Sequence, residues 1–474
     1  MTASTQTEST RVAEPKVRAL FVTPTWMATG ETATALALAQ SIVSGGGEVW
    51  FLASVPAAQI VRPHFGDRVR EMTGDLEANQ EQWHRMIEEF DPNVVIFSEL
   101  RSLLALRLNR QYPLADLRWL RDLDGHDALL VAIDHVGSTP SVQKLMARLS
   151  SQMFFRLIAR AWRPIFERMC ILLPCPLHEP ARVEGRQGHP YKSMTMPLRV
   201  DPDVRTQVRA RYLGEGAQGE GALIFHSVPR WSFRLSKALK APLYDDLGEI
   251  LTEYLADVAR PVTIVSVNDG TLLRPSSAKR VQVVNLAGLP LSEFDALLLS
   301  SDLVLTENIV SFTLAKAVGN VPGVALVNSW TAQEILDREA AGSAIRRLVT
   351  QAERRRAGSV YSHVMYPVRR PGKGEAPSSR RLLFDAAAPS IPLPDEMIRV
   401  GSTPSSPFIQ AELYGGQETG DLFRALLCDE TRRAQVRAED EVYLERQREL
   451  PEGVTVLKRL LAGRTLGETV LVNG

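Results

Sequence analysis

Short runs of consecutive apolar residues punctuate this chain, and they restrict its fold more than any other feature. In the first part they fall at 17–23 (VRALFVT), 48–54 (EVWFLAS), 93–99 (NVVIFSE) and 128–137 (ALLVAIDHVG). A strand apolar on both sides has to be covered on both faces, which is the situation of a parallel sheet wrapped by helices. Parallel neighbours also need crossover connections long enough to hold a helix. The intervening segments supply them. Residues 31–46 (ETATALALAQSIVSGG) read as a helix closed by glycines, and NQEQWHRMIEEFDP as another. The stretch SQMFFRLIARAWRPIFERMCILLPCP reads as a helix and then a strand from Cys170 to Pro174.

The pattern repeats. Strands are expected at 221–228 (GALIFHSV), 260–268 (RPVTIVSVN), 280–288 (RVQVVNLAG), 302–308 (DLVLTEN) and VPGVALVNS. Helices are expected at 244–259, at 291–301 with Ser292 as cap and Asp295 in the first turn, and at 311–320. This predicts two doubly wound α/β units joined near residues 197–205. The expected organisation is a disordered tail at 1–15, one Rossmann-like domain at 16–200, a second at 201–400, and a helical segment at 401–474 packing back across both. Residues 369–380 (RRPGKGEAPSSR) read as a surface loop, and Arg354, Arg355 and Arg356 as a solvated helix end.

Composition narrows the function classes. The 474 residues are 45% hydrophobic and 23% charged, with a formal net charge of +0. No basic excess points to nucleic acid or an anionic membrane. The three cysteines Cys170, Cys175 and Cys428 come with no histidine cluster, so no zinc set is expected. The N-terminal tail lacks an apolar core of the secretory kind, and no apolar run is long enough for a membrane span. A cytoplasmic address is the expectation.

Ligands of open α/β sheets bind outside the carboxyl ends of the strands. Those ends carry Thr23–Glu31, Ser98–Glu99, Asp134–His135, Ser227–Arg230, Asn268–Asp269 and Thr306–Asn308. Three stretches resemble the GT-B glycosyltransferases. ATGETATALALAQSI is similar to their first loop and helix, with Gly30-Glu31 where many members have Gly-His. LPLSEFDALLLSSDLVLTENIVSFTLAKAVGNVPGVALV is similar to their donor-binding region, and FHSVPRWSF to a polar loop at the cleft. The resemblance covers residues 16–335 at the level of pattern. It implies two Rossmann-like domains facing a cleft, with a nucleotide-diphosphate sugar as co-substrate and no bound cofactor.

The chemistry implied is glycosyl transfer to a hydroxyl or amine acceptor, inverting and metal-independent. A base must take the acceptor proton. Glu31 is the first candidate, although an acid also sits stably in a first helical turn. His135 and its neighbour Asp134 are the competitors. The leaving diphosphate needs neutral donors, for which Ser311 and Thr313 at a helix start are candidates. Ser227 and Arg230 are further phosphate contacts, with Trp231 as a stacking face, and Glu307 and Asn308 would take ribose or sugar hydroxyls. Asp122-Leu123-Asp124 matches D-x-D but reads as loop charge. The acceptor is left open as a small molecule, glycan or peptide. Two alternatives stand beside transfer: a nucleotide-sugar epimerase, and a degenerate GT-B-like protein that binds a partner.

Overall fold

The computed structural model describes residues 15–24, 30–98, 123, 126–135, 168–175, 188–194, 197–214, 220–228, 243–268, 273–274, 280–307, 311–327, 337, 350 and 409–465. Two parallel sheets organise them, as the apolar runs predict. The first contains β1 (Arg18–Thr23), β2 (Glu48–Ala53), β3 (Val69–Glu71), β4 (Val94–Phe97), β5 (Leu129–Ile133), β6 (Cys170–Cys175) and β7 (His189–Lys192). Their order is β3-β2-β1-β4-β5-β6-β7. The second contains β8 (Ala222–Ser227), β9 (Val262–Val267), β10 (Val281–Leu286), β11 (Leu303–Thr306), β12 (Gly323–Val327) and β13 (Ile409–Glu412). Their order is β10-β9-β8-β11-β12-β13. Each sheet is doubly wound. The strand order reverses between β1 and β4 in the first and between β8 and β11 in the second. The expected pair of Rossmann-like domains is therefore present.

Helices cover the first sheet: α1 (Gly30–Ser44), α2 (Val55–Phe65) and α3 (Leu76–Phe90). The glycine run after α1 is its terminator. Gly45 N–H donates to Ser41 O and Gly47 N–H to Ile42 O, while Gly46 takes a positive φ of 80°. A side chain at Gly47 would meet Ile42 Cγ2 at 2.5 Å, so this glycine also lets the chain turn tightly into β2. α3 is capped by Asp75, whose side chain accepts from Glu77 N–H and Ala78 N–H.

The second sheet is covered by α4 (Pro202–Leu213), α5 (Leu243–Leu255), α6 (Leu291–Ser300) and α7 (Phe312–Ala317). Three expectations need correction. Ser292 is not the cap of α6: Pro290 occupies that position without a side-chain bond, and Ser292 lies inside the first turn, where the acid is Glu293 rather than the expected Asp295. α7 is shorter than the expected 311–320, because Val318 leaves helical geometry at ψ 129° and Gly319 follows at φ 77°.

The C-terminal helices α8 (Gln417–Cys428), α9 (Glu430–Arg448) and α10 (Gly453–Thr465) tie the two domains together. On α8, Phe423 stacks edge-on against Tyr254 of α5, with centroids 6.0 Å apart. Along α9, Val436 enters the second-domain core, and Tyr443 and Leu444 pack beside Leu314 and Val318. Gln447 Nε2 then donates to Cys175 O of β6, 3.0 Å away in the other domain. Val454, Leu457 and Leu461 of α10 join Val17, Leu38 and Ile42 in the first-domain core. Leu123, the middle residue of the D-x-D match, is buried in the first-domain core, and its two aspartates lie outside the described residues. So do Arg354–Arg356 and residues 369–380.

Candidate functional site

Side-chain alternation decides which strand-end residues share a face. In the first sheet, Ala19, Phe21, Val94, Ile96, Leu129, Val131 and Ile133 pack with Ala35, Leu38 and Ile42 of α1. Their alternates Leu20, Val22, Val95, Phe97, Leu130 and Ala132 pack with Trp83 and Met86 of α3. Carried to the carboxyl edge, the alternation puts Thr23, Ser98 and His135 on the α1 face and Asp134 on the α3 face. Asp134 and His135 are both buried, at 0% and 5% exposure, but they belong to opposite sides of the sheet. Thr32, also fully buried, comes from the first turn of α1 itself. Thr23 Oγ1, Thr32 Oγ1 and Ser98 Oγ are buried with no hydrogen-bond partner among the described residues. Thr23 and Ser98 lie on β1 and at the end of β4, where the strand order reverses. Glu31 stands half-buried in the same first turn of α1.

The second sheet divides in the same way. Leu223, Phe225, Val265, Val267 and Val304 face α6 and α7. Continuing that parity, Ser227 and Thr306 share the α7 face. Ser311 caps α7 by accepting from Thr313 N–H at 3.2 Å, and Thr313 Oγ1 reaches Ser227 Oγ at 3.4 Å. The expected grouping of Ser227, Ser311 and Thr313 is thus assembled in space. The nearby cation Lys316, 7% exposed, is engaged by Asp295 of α6 at 2.5 Å.

Glu307 belongs to the other face, with Ile224, Ile264 and Leu305. There it meets a residue that sequence reasoning missed. His226, fully buried, lies 2.6 Å from Glu307 Oε1 through Nε2 and 2.9 Å from Ser266 Oγ through Nδ1. Asn268 Nδ2 donates to Ser266 Oγ at 3.1 Å. A histidine one position before the polar end of an otherwise apolar strand was the available signal. Arg230, Trp231 and Asn308 lie outside the described residues.

The two carboxyl edges face one another where α1 and α7 begin. A Cβ placed on Gly30 would lie 3.3 Å from Phe312 Cβ, and Ala33 packs against the second-domain core. The helix start carrying Glu31 therefore abuts the helix start carrying Ser311 and Thr313. Among the described residues no group of three His, Cys, Asp or Glu side chains gathers to hold a metal ion. No described helix is long and apolar enough to cross a membrane.

Solved structures similar to this chain include ones whose titles name glycosyltransferases. The spinosyn forosaminyltransferase SpnP is 14% identical, with 94% of this chain and 99% of that chain covered and a TM-score of 0.48. The glycosyltransferase SnogD from Streptomyces nogalater is 16% identical, with 94% and 99% covered and a TM-score of 0.44. UGT89C1 of Arabidopsis thaliana, complexed with quercetin, is 11% identical, with 94% and 99% covered and a TM-score of 0.49. The fold assignment rests on strand order and register rather than on these likenesses. No curated protein matches the sequence. A family model described as a family of unknown function, DUF6365, matches residues 38–370, most of the chain, and the protein belongs to that family.

Proposed function

We propose that this protein transfers a glycosyl group from a nucleotide-activated sugar to a hydroxyl or amine acceptor, with inversion and without a metal. The observation that supports the reading is the meeting of α1 and α7, which brings two switch-point edges of different chemistry together. The first-domain edge offers a carboxylate, Glu31, beside the buried hydroxyls of Thr23, Thr32 and Ser98. That is the side for an acceptor and its base. His135 shares the α1 face and is the second candidate base. Asp134, on the opposite face, would have to act from the other side of the sheet.

The second-domain edge offers Ser227, Ser311 and Thr313 as hydroxyl donors to a diphosphate, with Arg230 following β8 in sequence. A helix of six residues has a small dipole, so the hydroxyls rather than the helix end would do most of the holding. Glu307 takes a hydroxyl of the nucleotide or sugar, joined by Asn308.

Calorimetric titration with nucleoside diphosphates tests the donor side. Ser311→Ala together with Thr313→Ala should weaken binding by roughly tenfold to a hundredfold, as expected for hydrogen bonds to a charged group. Unchanged affinity would place the diphosphate elsewhere. Hydrolysis of a sugar donor without acceptor separates an enzyme from a partner-binding scaffold.

A further inference from the structure

A directed chain of hydrogen bonds runs through the buried interior of the second domain, and its direction can be assigned from its far end. Leu273 N–H donates to Asn285 Oδ1 at 3.1 Å, and Asn285 Nδ2 donates to Leu273 O at 2.9 Å. These two backbone contacts fix which end of the Asn285 amide is oxygen. Asn268 Nδ2 lies 3.3 Å from Ser266 O and 3.4 Å from Asn285 Oδ1, two acceptor-only oxygens that fix this end of the amide as the donor, and it donates to Ser266 Oγ at 3.1 Å. Ser266 Oγ therefore receives one bond. Its own O–H has a single acceptor in reach among the described residues, His226 Nδ1 at 2.9 Å. An imidazole that accepts at Nδ1 carries its proton on Nε2, and Nε2–H donates to Glu307 Oε1 at 2.6 Å. The opposite tautomer would strand the serine hydroxyl and turn a nitrogen lone pair toward a carboxylate oxygen.

Beyond half-buried Asn285 the links are sheltered. Ser266 and His226 are 0% exposed, Glu307 is 1% and Asn268 is 7%. The last atom, Glu307 Oε2, is buried and has no hydrogen-bond partner among the described residues. A chain satisfied at every joint except its terminal acceptor is costly to keep unless something donates to it. That atom lies at the carboxyl end of β11, next to β8 and so at the strand-order reversal of the second sheet.

We propose that His226 is a positioning residue: held by Ser266 and Asn268, it locks Glu307 Oε1 and presents Oε2 as the acceptor for a hydroxyl of the bound nucleotide or sugar. The proposal rests on the nucleotide-sugar reading of this cleft. It also divides the cleft chemically. A hydrogen-bond-donating hydroxyl belongs on the Glu307 side, and the acceptor-only phosphates belong on the Ser227, Ser311 and Thr313 side. Neither His226 nor Ser266 need touch the ligand.

Two measurements on the full-length protein test this. The first is nitrogen NMR of the imidazole in the ligand-free chain. Wild-type His226 is expected as the neutral Nε2–H tautomer, and Ser266→Ala should disturb that signature. The Nδ1–H tautomer, or a wild-type signature unchanged in Ser266→Ala, overturns the relay. The second is calorimetric titration with UDP, dTDP and GDP. His226→Phe should weaken the best of these at least tenfold. His226→Gln, which can still donate to Glu307, should stay within about threefold of wild type by restoring that hydrogen bond. A His226→Phe protein that folds and binds within twofold of wild type overturns the positioning role. If His226→Phe does not fold, Ser266→Ala replaces it, with weakened binding expected and unchanged binding contrary. If none of the three nucleotides binds the wild type, the nucleotide reading of the cleft falls. The relay is then decided by the tautomer alone, with Nε2–H supporting it and any other form contradicting it.

Discussion

Thr23, Ser98 and Thr32 are small residues, but their hydroxyls are the sharpest polar signal on the first-domain side. Each is fully buried, and none has a partner among the described residues. Leaving such a group unsatisfied costs about 1–3 kcal/mol. Thr23→Val keeps the side-chain shape and removes the hydroxyl. The ligand-free protein should become more stable by roughly 1 kcal/mol in urea unfolding, and sugar transfer should weaken if the hydroxyl lines the acceptor side. A loss of stability of that size would show that the hydroxyl is already bonded. Residues also set how much of the site could be read in the sequence. The polar strand ends were legible because each interrupts an apolar run. The separation of Asp134 from His135, and of Glu307 from Ser227, follows from alternation along a strand once the core residues are known. The bond between His226 and Glu307 joins residues 81 apart in sequence and needed the register of β8 against β11.

Among the elements, those apolar on both faces were legible and the short, half-polar ones were not. β3 (VRE), β7 (HPYK) and β13 (IQAE) escaped because each has only a few residues and mixed polarity. All three are edge strands, which need burial on fewer sides. α2 was hidden by Pro63, which argues against a helix interior when the sequence is read alone. The end of α7 shows how an element's length is set from outside it. Gly319 N–H there donates to Asp440 Oδ2 of α9 at 2.8 Å, which anchors the turn that stops the helix. Burial pushes the Asp440 carboxyl from 3.8 up to about 7, against the opposing pull of that Gly319 N–H. Between about pH 4 and 7 the unfolded chain releases this proton while the folded chain retains it. Asp440 therefore subtracts stability as pH rises through that window and no more above it. A tenfold difference in proton affinity between the two states corresponds to about 1.4 kcal/mol. Asp440→Asn keeps an acceptor for Gly319 and removes the titration. Its Tm should exceed that of wild type at pH 8 and approach it at pH 4. Equal Tm differences at both values would show that Asp440 is not the titrating group.

At the scale of the whole molecule, two sheets with similar winding face each other across the start of α1 and the start of α7, and α9 and α10 return the chain from the second domain to the first. The return is held by Gln447 on Cys175 O and by Lys192 N–H on Pro451 O at 2.9 Å. In the proposed reaction, this arrangement assigns nucleotide binding to one domain and proton abstraction to the other. It follows that the two can be separated by substitution. Glu31→Gln preserves size and hydrogen bonding at the start of α1 while removing the ability to take a proton. The decisive measurement is turnover of a sugar donor and nucleotide affinity on the same Glu31→Gln preparation. Turnover should fall by roughly 10²–10⁴, the usual contribution of a general base, with affinity within about twofold of wild type. Near-normal turnover would contradict the account and leave Glu31 as a stabilising acid in a first helical turn.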